Sequence, residues 1–321
     1  MKFKIDGFVL SIITTVILAY FFPFFGTEQS PINIATLANY GISFIFLFYG
    51  LKLNGEKIKS GLSNWKLHLV VQLATFLLFP ILVLLVKPFV AETSTASNIW
   101  LAFYFMACLP STVSSSVVMV ALAKGNIPGA IFNASISGII GILVTPLWMG
   151  IFLQSSTGDF DFTDTYIDLV VQIIIPVVLG LFLQKYIGHW ASKYNTQLAY
   201  FDKAVILLII YKSFAHAFTT GLFQSVSLSI LLFIFIGVVA IFLILYGVLN
   251  VICKVLKFNT EDRITALFCG SKKSLVHGTV FSSVMFGTSS ILGIILLPIM
   301  IYHAFQIVAI SFIAQKFANR L

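Results

Sequence analysis

Two adjacent lysines stand in a stretch of chain that belongs at membrane depth. They are Lys272 and Lys273 in Phe268-Cys269-Gly270-Ser271-Lys272-Lys273-Ser274, and the next charged residue after them is Lys316. In such surroundings an ammonium either attracts an anion or, left without a partner, gives up its proton. A helix starting only at Ser274 and ending at the turn signal Gly287-Thr288-Ser289-Ser290 would hold about 13 residues, roughly 20 Å against a ~30 Å hydrocarbon core. The span therefore starts near Ile264 and contains both lysines. The bland alternative is that both snorkel to a headgroup region at a helix end. Adjacent helical residues point about 100° apart, so the two do not share one narrow site.

A second polar interruption is Leu109-Pro110-Ser111-Thr112-Val113-Ser114-Ser115-Ser116. Proline removes a backbone donor, and hydroxyls can bind freed carbonyls or an ion. The plain reading is a kinked helix whose hydroxyls bond back to the preceding turn. Thr112, Ser115 and Ser116 are candidate binding residues, with Asn133 and Ser137 further along. Singly, each serine or threonine is more often packing glue than ligand. Asn133 is the best of them, because a full amide in lipid needs a protein partner. His277, about a turn from Lys273, reads first as a neutral packed histidine, as does His303. Lys212 and His216 either line a cavity or snorkel outward. The many phenylalanines, such as Phe44, Phe46 and Phe48, are lipid-facing or packing bulk.

The elements that must position these residues are membrane helices. Hydrophobic residues make up 59% of the chain, charged residues 9%, and the mean hydropathy is +1.04. A soluble domain carries about a quarter charged residues. The net charge of +8 is spread between apolar runs rather than gathered on one face, which argues against nucleic acid. Cys108, Cys253 and Cys269 suggest neither a disulfide framework nor a metal site. Soluble-enzyme motifs are missing, and the aspartates lie in or beside loops rather than as an intramembrane pair, so an enzyme is not expected. The opening apolar run after Met1-Lys2-Phe3-Lys4 lacks a small-x-small cleavage pattern and reads as a retained first helix.

Apolar runs of spanning length fall at 5–25, 32–51, 67–86, 98–123, 129–153, 167–186, 198–218, 226–252, 263–286 and 290–315. Basic residues alternate with them. Lys2 and Lys4, then Lys52, Lys57, Lys59 and Lys66, then Lys124, then Lys185, Lys193 and Lys203, then Lys254, Lys257 and Arg263, then Lys316 and Arg320 all fall on one side. The other side offers Lys87 with Glu28, Glu92, Asp159, Asp161 and Asp164. The expectation is an all-α polytopic protein of the cell (inner) membrane, with ten transmembrane helices and both termini cytoplasmic. The two interruptions lie roughly half a chain apart. Five helices are an odd number, so halves of five insert with opposite orientation. Residues 1–160 and 161–321 then form two inverted five-helix repeats, the arrangement of a secondary transporter with a midplane site.

Read with their flanks, the two breaks resemble those of the bile acid:sodium symporter superfamily, most closely its SBF-like branch. That branch includes bacterial transporters and eukaryotic relatives linked to calcium homeostasis. The resemblance covers nearly the whole chain. It rests on Tyr49-Gly50-Leu51-Lys52-Leu53, Gly61 to His68, Cys108-Leu109-Pro110-Ser111-Thr112, Ala123-Lys124-Gly125-Asn126, Ala130-Ile131-Phe132-Asn133, Thr145-Pro146-Leu147 and Cys269 to Leu275. It implies a panel of helices 1, 2, 6 and 7, and a core of helices 3–5 and 8–10 in which helices four and nine unwind and cross. Solute would sit between panel and core, with ions near the crossing.

The departures from the family pattern are informative. Sodium-coupled members carry a Glu-x-Gly-x-Gln-Asn-like pattern in helix nine. Aligned on Gly270, the glutamate position is Phe268, and Lys272 and Lys273 replace the Gln and Asn. Ser115-Ser116 match a Ser-Asn pair. The glutamine of helix three falls near Thr75, with Gln72 a turn earlier. Carboxylate and amide ligands for a hard cation are lost and fixed positive charge is gained. The expected binding set is Lys272, Lys273, Ser274, Thr112, Ser115, Ser116, Asn133, Ser137, Gln72 and His277. Any residual sodium site lies near Ser115, Ser116 and Asn133. One assignment puts Lys272 at the crossing, supplying its ammonium where sodium sits in relatives or cycling a proton, with Lys273 at the cavity or the cytoplasmic interface; the sequence leaves the reverse assignment open. The reading is a secondary active transporter of a small organic anion by alternating access, with no cofactor. Sodium coupling is doubtful, and sodium or a proton is the candidate coupling ion. The alternative is a channel-like or non-transporting regulator of cation homeostasis.

Overall fold

The computed structural model describes residues 7–27, 30–31, 33–52, 64–156, 167, 170–219, 221, 227–286 and 291–319. The aspartates at 159, 161, 164 and 168, the lysines at 57 and 59, and the turn signal at 287–290 lie outside the described residues. Regular structure among the described residues is entirely helical. In chain order the helices are α1 (Gly7–Phe21), α2 (Ile34–Lys52), α3 (Trp65–Leu73), α4 (Phe79–Leu84), α5 (Ser94–Cys108), α6 (Ser114–Leu122) and α7 (Ile127–Ser156). They continue with α8 (Ile175–Lys193), α9 (Asn195–Thr219), α10 (Leu228–Val255), α11 (Thr260–Gly270), α12 (Leu275–Phe286) and α13 (Leu292–Ala318).

Six segments are long and apolar enough to cross a membrane: Ile34–Lys52, Trp65–Phe89, Ile127–Ile151, Val170–Lys193, Leu228–Val255 and Leu292–Ala318. They coincide with the second, third, fifth, sixth, eighth and tenth apolar runs. Among the described residues the first run yields α1, 15 residues long. The seventh yields α9, which is long enough but carries Asp202, Lys203 and Lys212. The fourth and ninth runs are each two helices with irregular chain between them, at 109–113 and 271–274. The protein is a polytopic membrane protein. Its large exposed apolar side chains, such as Phe182, Leu232, Phe233 and Ile236, fit a hydrocarbon surrounding.

The chain divides into two compact units. The first comprises Met1–Leu53, Asp159–Ser227 and Gly278–Leu296. Its tightest packing is between α2 and α8, where Gly50 and Gly180 face one another. A Cβ on Gly50 would strike the Val177 carbonyl, and one on Gly180 would strike that of Leu47. Small residues let membrane helices approach this closely where apolar burial alone gives no drive. Tyr211 in α9 donates to the Phe22 carbonyl after α1, and Lys52 pairs with Asp202 at 3.5 Å.

The second unit comprises Asn54–Gly158, Leu228–His277 and Leu297–Leu321. At one end, three helix starts converge on Asp262 in the first turn of α11. Its carboxylate accepts from Asn64 Nδ2 and Asn126 Nδ2, both at 2.7 Å, and its N–H donates to Asn259 Oδ1 at 2.7 Å. Each asparagine also serves its own helix: Asn64 accepts from Leu67 N–H, and Asn126 from Gly129 N–H. A carboxylate suits the positive end of a helix, and here one carboxylate serves three. The hub fixes where α3, α7 and α11 begin, and so where their distal residues arrive in the site.

Candidate functional site

The site is built by broken backbone. In the third run Phe79 N–H reaches back five residues to the Ala74 carbonyl, making a π turn over Ala74–Leu78. The next residue, Pro80, has no N–H to give. The Thr75 and Phe76 carbonyls, its partners in the π and α registers, are therefore released. Trp148 Nε1 takes Phe76 O at 2.7 Å, and Lys273 Nζ takes Thr75 O at 2.8 Å.

The end of α5 releases carbonyls in the same way. Ser111 N–H, which would have closed on Ala107, bonds instead to Ser137 Oγ at 3.0 Å. Lys273 Nζ takes Ala107 O at 2.6 Å and Leu109 O at 2.7 Å. Thr145 Oγ1 takes Cys108 O at 2.8 Å, and Ser274 N–H takes Pro110 O at 2.9 Å. Every carbonyl from 107 to 110 thus has a donor, as buried backbone requires. Gly141 of α7 lets the Pro110 ring lie close, since a Cβ there would come within 2.7 Å of it.

The second break is satisfied from the first break and from α13. Ser111 Oγ donates to Cys269 O at 2.6 Å, so the two breaks meet directly. Tyr302 OH donates to Ser271 O at 2.6 Å. Gln306 pairs both ways with the Lys273 peptide, accepting its N–H at 2.9 Å and donating to its carbonyl at 2.8 Å. Ser274 then starts α12: its Oγ accepts from His277 N–H at 3.3 Å and lies 2.9 Å from His277 Nδ1.

Both lysines are 0% exposed, and they go to opposite electrical poles. Lys273 reaches the C-terminal, negative end of α5, with Phe79 beneath it at 4.3 Å from ring centroid to Nζ. Lys272 reaches the N-terminal, positive end of α6. There its Nζ makes one hydrogen bond among the described residues, to Ser115 Oγ at 3.3 Å. Ser115 Oγ donates to Thr112 Oγ1 at 2.9 Å, and Thr112 and Ser116 hydroxyls lie 2.8 Å apart. Val113, at the N-cap of α6, supplies no side-chain cap. A cation beside an uncapped helix start is unfavourable until something negative arrives.

These positions revise the expectations for individual residues. Lys273 is fully buried, and its Nζ is held by the released carbonyls of Thr75, Ala107 and Leu109. Lys272 lies beside Thr112, Ser115 and Ser116. Ser137, Ser274 and His277 belong to the scaffold around the breaks. Asn133 and Gln72 form a separate group. Asn133 Nδ2 donates to Gly129 O and to His68 Nδ1, both at 2.9 Å, and Gln72 Nε2 donates to Asn133 Oδ1 at 3.1 Å. Asn133 thus spends its amide on these partners rather than on the Ser115–Ser116 pair. Gln72 Oε1 is buried with no donor among the described residues. Phe268, at the family's carboxylate position, is fully buried and apolar. Ser111, Thr145, Trp148, Tyr302 and Gln306 were not singled out as site residues from sequence. The usable signal was Tyr302 and Gln306, one turn apart in an otherwise apolar run.

The chain is similar over nearly its whole length to known proteins. An uncharacterized protein of Pseudomonas aeruginosa is 35% identical over 319 residues, covering 99% of this chain and 95% of that one. YfeH of Escherichia coli K12, whose name marks it provisionally as a symporter, is 35% identical over 322 residues, covering 98% and 94%. Sodium/bile acid cotransporter 7 of Rattus norvegicus is 30% identical over 307 residues, covering 94% and 89%. The model of the SBF-like CPA transporter family matches residues 6–319. The chain belongs to the SBF-like CPA transporter family.

Proposed function

We propose that this member of the family is a secondary active transporter of a small organic anion that needs no coupling sodium at the crossing. The observation that carries the reading is Lys272: a fully buried lysine amine at the uncapped start of α6, with one hydrogen-bond partner among the described residues, the Ser115 hydroxyl. Ammonium and helix pole together favour an anion. A sodium ion entering about 4 Å from a charged lysine would meet roughly 4 kcal/mol of repulsion at an effective dielectric near 20. The relatives' names pair bile acid with sodium, and only the first fits a site where Phe268 stands for the carboxylate. The proton is the remaining coupling candidate.

Alternating access would move a core against a panel, in ten spans arranged as two inverted repeats. α1, α2, α8 and α9 share one compact unit, as panel helices would, and that unit also takes in Gly278–Leu296; the meeting of the two breaks supports the core. The convergence of Asn64, Asn126 and Asn259 on Asp262 supports placing three of the basic loops on one side. That side is the cytoplasm of an inner-membrane protein with both termini inside. Labelling of Lys257→Cys by an impermeant thiol reagent in intact cells, with the native cysteines removed, would overturn the orientation.

The function is tested with purified protein in proteoliposomes and a labelled bile acid among other labelled organic anions. Saturable uptake above that of empty vesicles is expected for at least one of them. A regulator that carries nothing would leave uptake at the empty-vesicle level throughout.

A further inference from the structure

We propose that the carbonyl cage around Lys273 Nζ is a monovalent-cation site that the chain fills with its own tethered ammonium. Three main-chain oxygens surround one nitrogen: Thr75 O at 2.8 Å, Ala107 O at 2.6 Å and Leu109 O at 2.7 Å. The face of Phe79 closes the shell, 4.3 Å from centroid to Nζ. An uncharged amine has two N–H bonds and would turn its lone pair on the third oxygen. Only the ammonium donates to all three.

The oxygens come from two separate interruptions, the π turn ahead of Pro80 and the break after α5. Carbonyl oxygens freed from helical pairing are also the ligands that strip alkali cations of water in channels and transporters. Ala107 and Leu109 add the negative pole of α5, and Phe79 adds the negative face of its ring. No carboxylate contacts Nζ among the described residues. The shell therefore suits one positive charge, whereas a divalent ion would demand more oxygens and carboxylates. Lys273 is held from behind as well: Gln306 bonds both ends of its peptide, at 2.9 and 2.8 Å. The side chain thus enters from an anchored backbone, and its removal leaves the oxygens in place. Carbonyls so arranged take up a free cation of the right size. This inference concerns one compact unit of the fold and holds whether or not the protein carries an anion.

The experiment is thermal unfolding of the full chain in detergent, wild type against two variants. Lys273→Ala deletes the atoms beyond Cβ, which n-propylammonium reproduces. Lys273→Gln retains two N–H donors and vacates the nitrogen position for a bare alkali ion. The melting temperature of Lys273→Ala is expected to rise by about 2 °C or more in propylammonium chloride relative to equal choline chloride. That of Lys273→Gln should rise comparably in potassium or sodium chloride. Wild type should show no difference among these salts. Where Lys273→Ala does not fold, Lys273→Gln decides the matter. Folded variants with the same melting temperature in every salt would overturn the proposal. Equal rescue of Lys273→Ala by propan-1-ol would overturn it too, because filling the space would then suffice without charge.

Discussion

Lys272→Gln should reduce initial uptake of the anion carried by the wild type at least tenfold at subsaturating concentration, while its melting temperature stays level or rises. The direction follows from where the ammonium sits. It adds positive charge to the uncapped start of α6 and, among the described residues, has only Ser115 Oγ at 3.3 Å as a hydrogen-bond partner. Removing a like charge from a helix pole relieves repulsion of about 0.3–1 kcal/mol. The same charge is worth up to about 4 kcal/mol to an anion at ~4 Å in a medium of effective dielectric near 20. That ceiling is roughly a thousandfold in affinity. Water entering with the solute lowers it, hence the expectation of at least tenfold. Glutamine keeps the length and polarity of the side chain, so the comparison isolates charge. Loss of uptake with a parallel fall in melting temperature would make Lys272 a structural residue.

Lys273→Met should do the reverse and damage the fold. Methionine fills similar space against Phe79 but offers no N–H to Thr75 O, Ala107 O or Leu109 O. Each buried acceptor left without a donor costs about 1–3 kcal/mol, and losing the buried ammonium returns part of that. A net loss of roughly 3–5 kcal/mol is expected, read as a fall in melting temperature of about 5–10 °C. Exchanging a buried ion pair for apolar residues is often harmless because both partners leave together. Here the carbonyls cannot leave, since they are main chain. A Lys273→Met protein as stable as wild type would mean that the ammonium does not hold the breaks together.

The contrast between the two lysines marks how far the sequence could be read. Both breaks were legible, because Pro110 with its hydroxyls and the Lys272–Lys273 pair interrupt otherwise apolar runs. Six of the ten runs appear as long apolar helices, and the fourth and ninth appear broken where the polar residues stand. Which lysine goes inward was not legible. The answer depends on carbonyls that Pro80 and the turn after Cys108 release, and a carbonyl has no letter in a sequence. Thr145, Trp148 and Gln306 were not singled out as site residues for the same reason: the contacts each makes at the breaks are with main chain. Asn133 was read as needing a protein partner, and it finds Gln72 and His68. Asn64, Asn126 and Asn259 each look like an ordinary helix start, and only the folded chain gathers them on Asp262.

The proposed sodium independence rests on Lys272 standing as positive charge where a coupling sodium would otherwise be required. It is tested most directly by uptake of the transported anion into proteoliposomes, with sodium on both sides, with an inward sodium gradient, and with potassium replacing sodium throughout. Equal initial rates in all three conditions are predicted. Several-fold stimulation by the sodium gradient, abolished by potassium replacement, would contradict it.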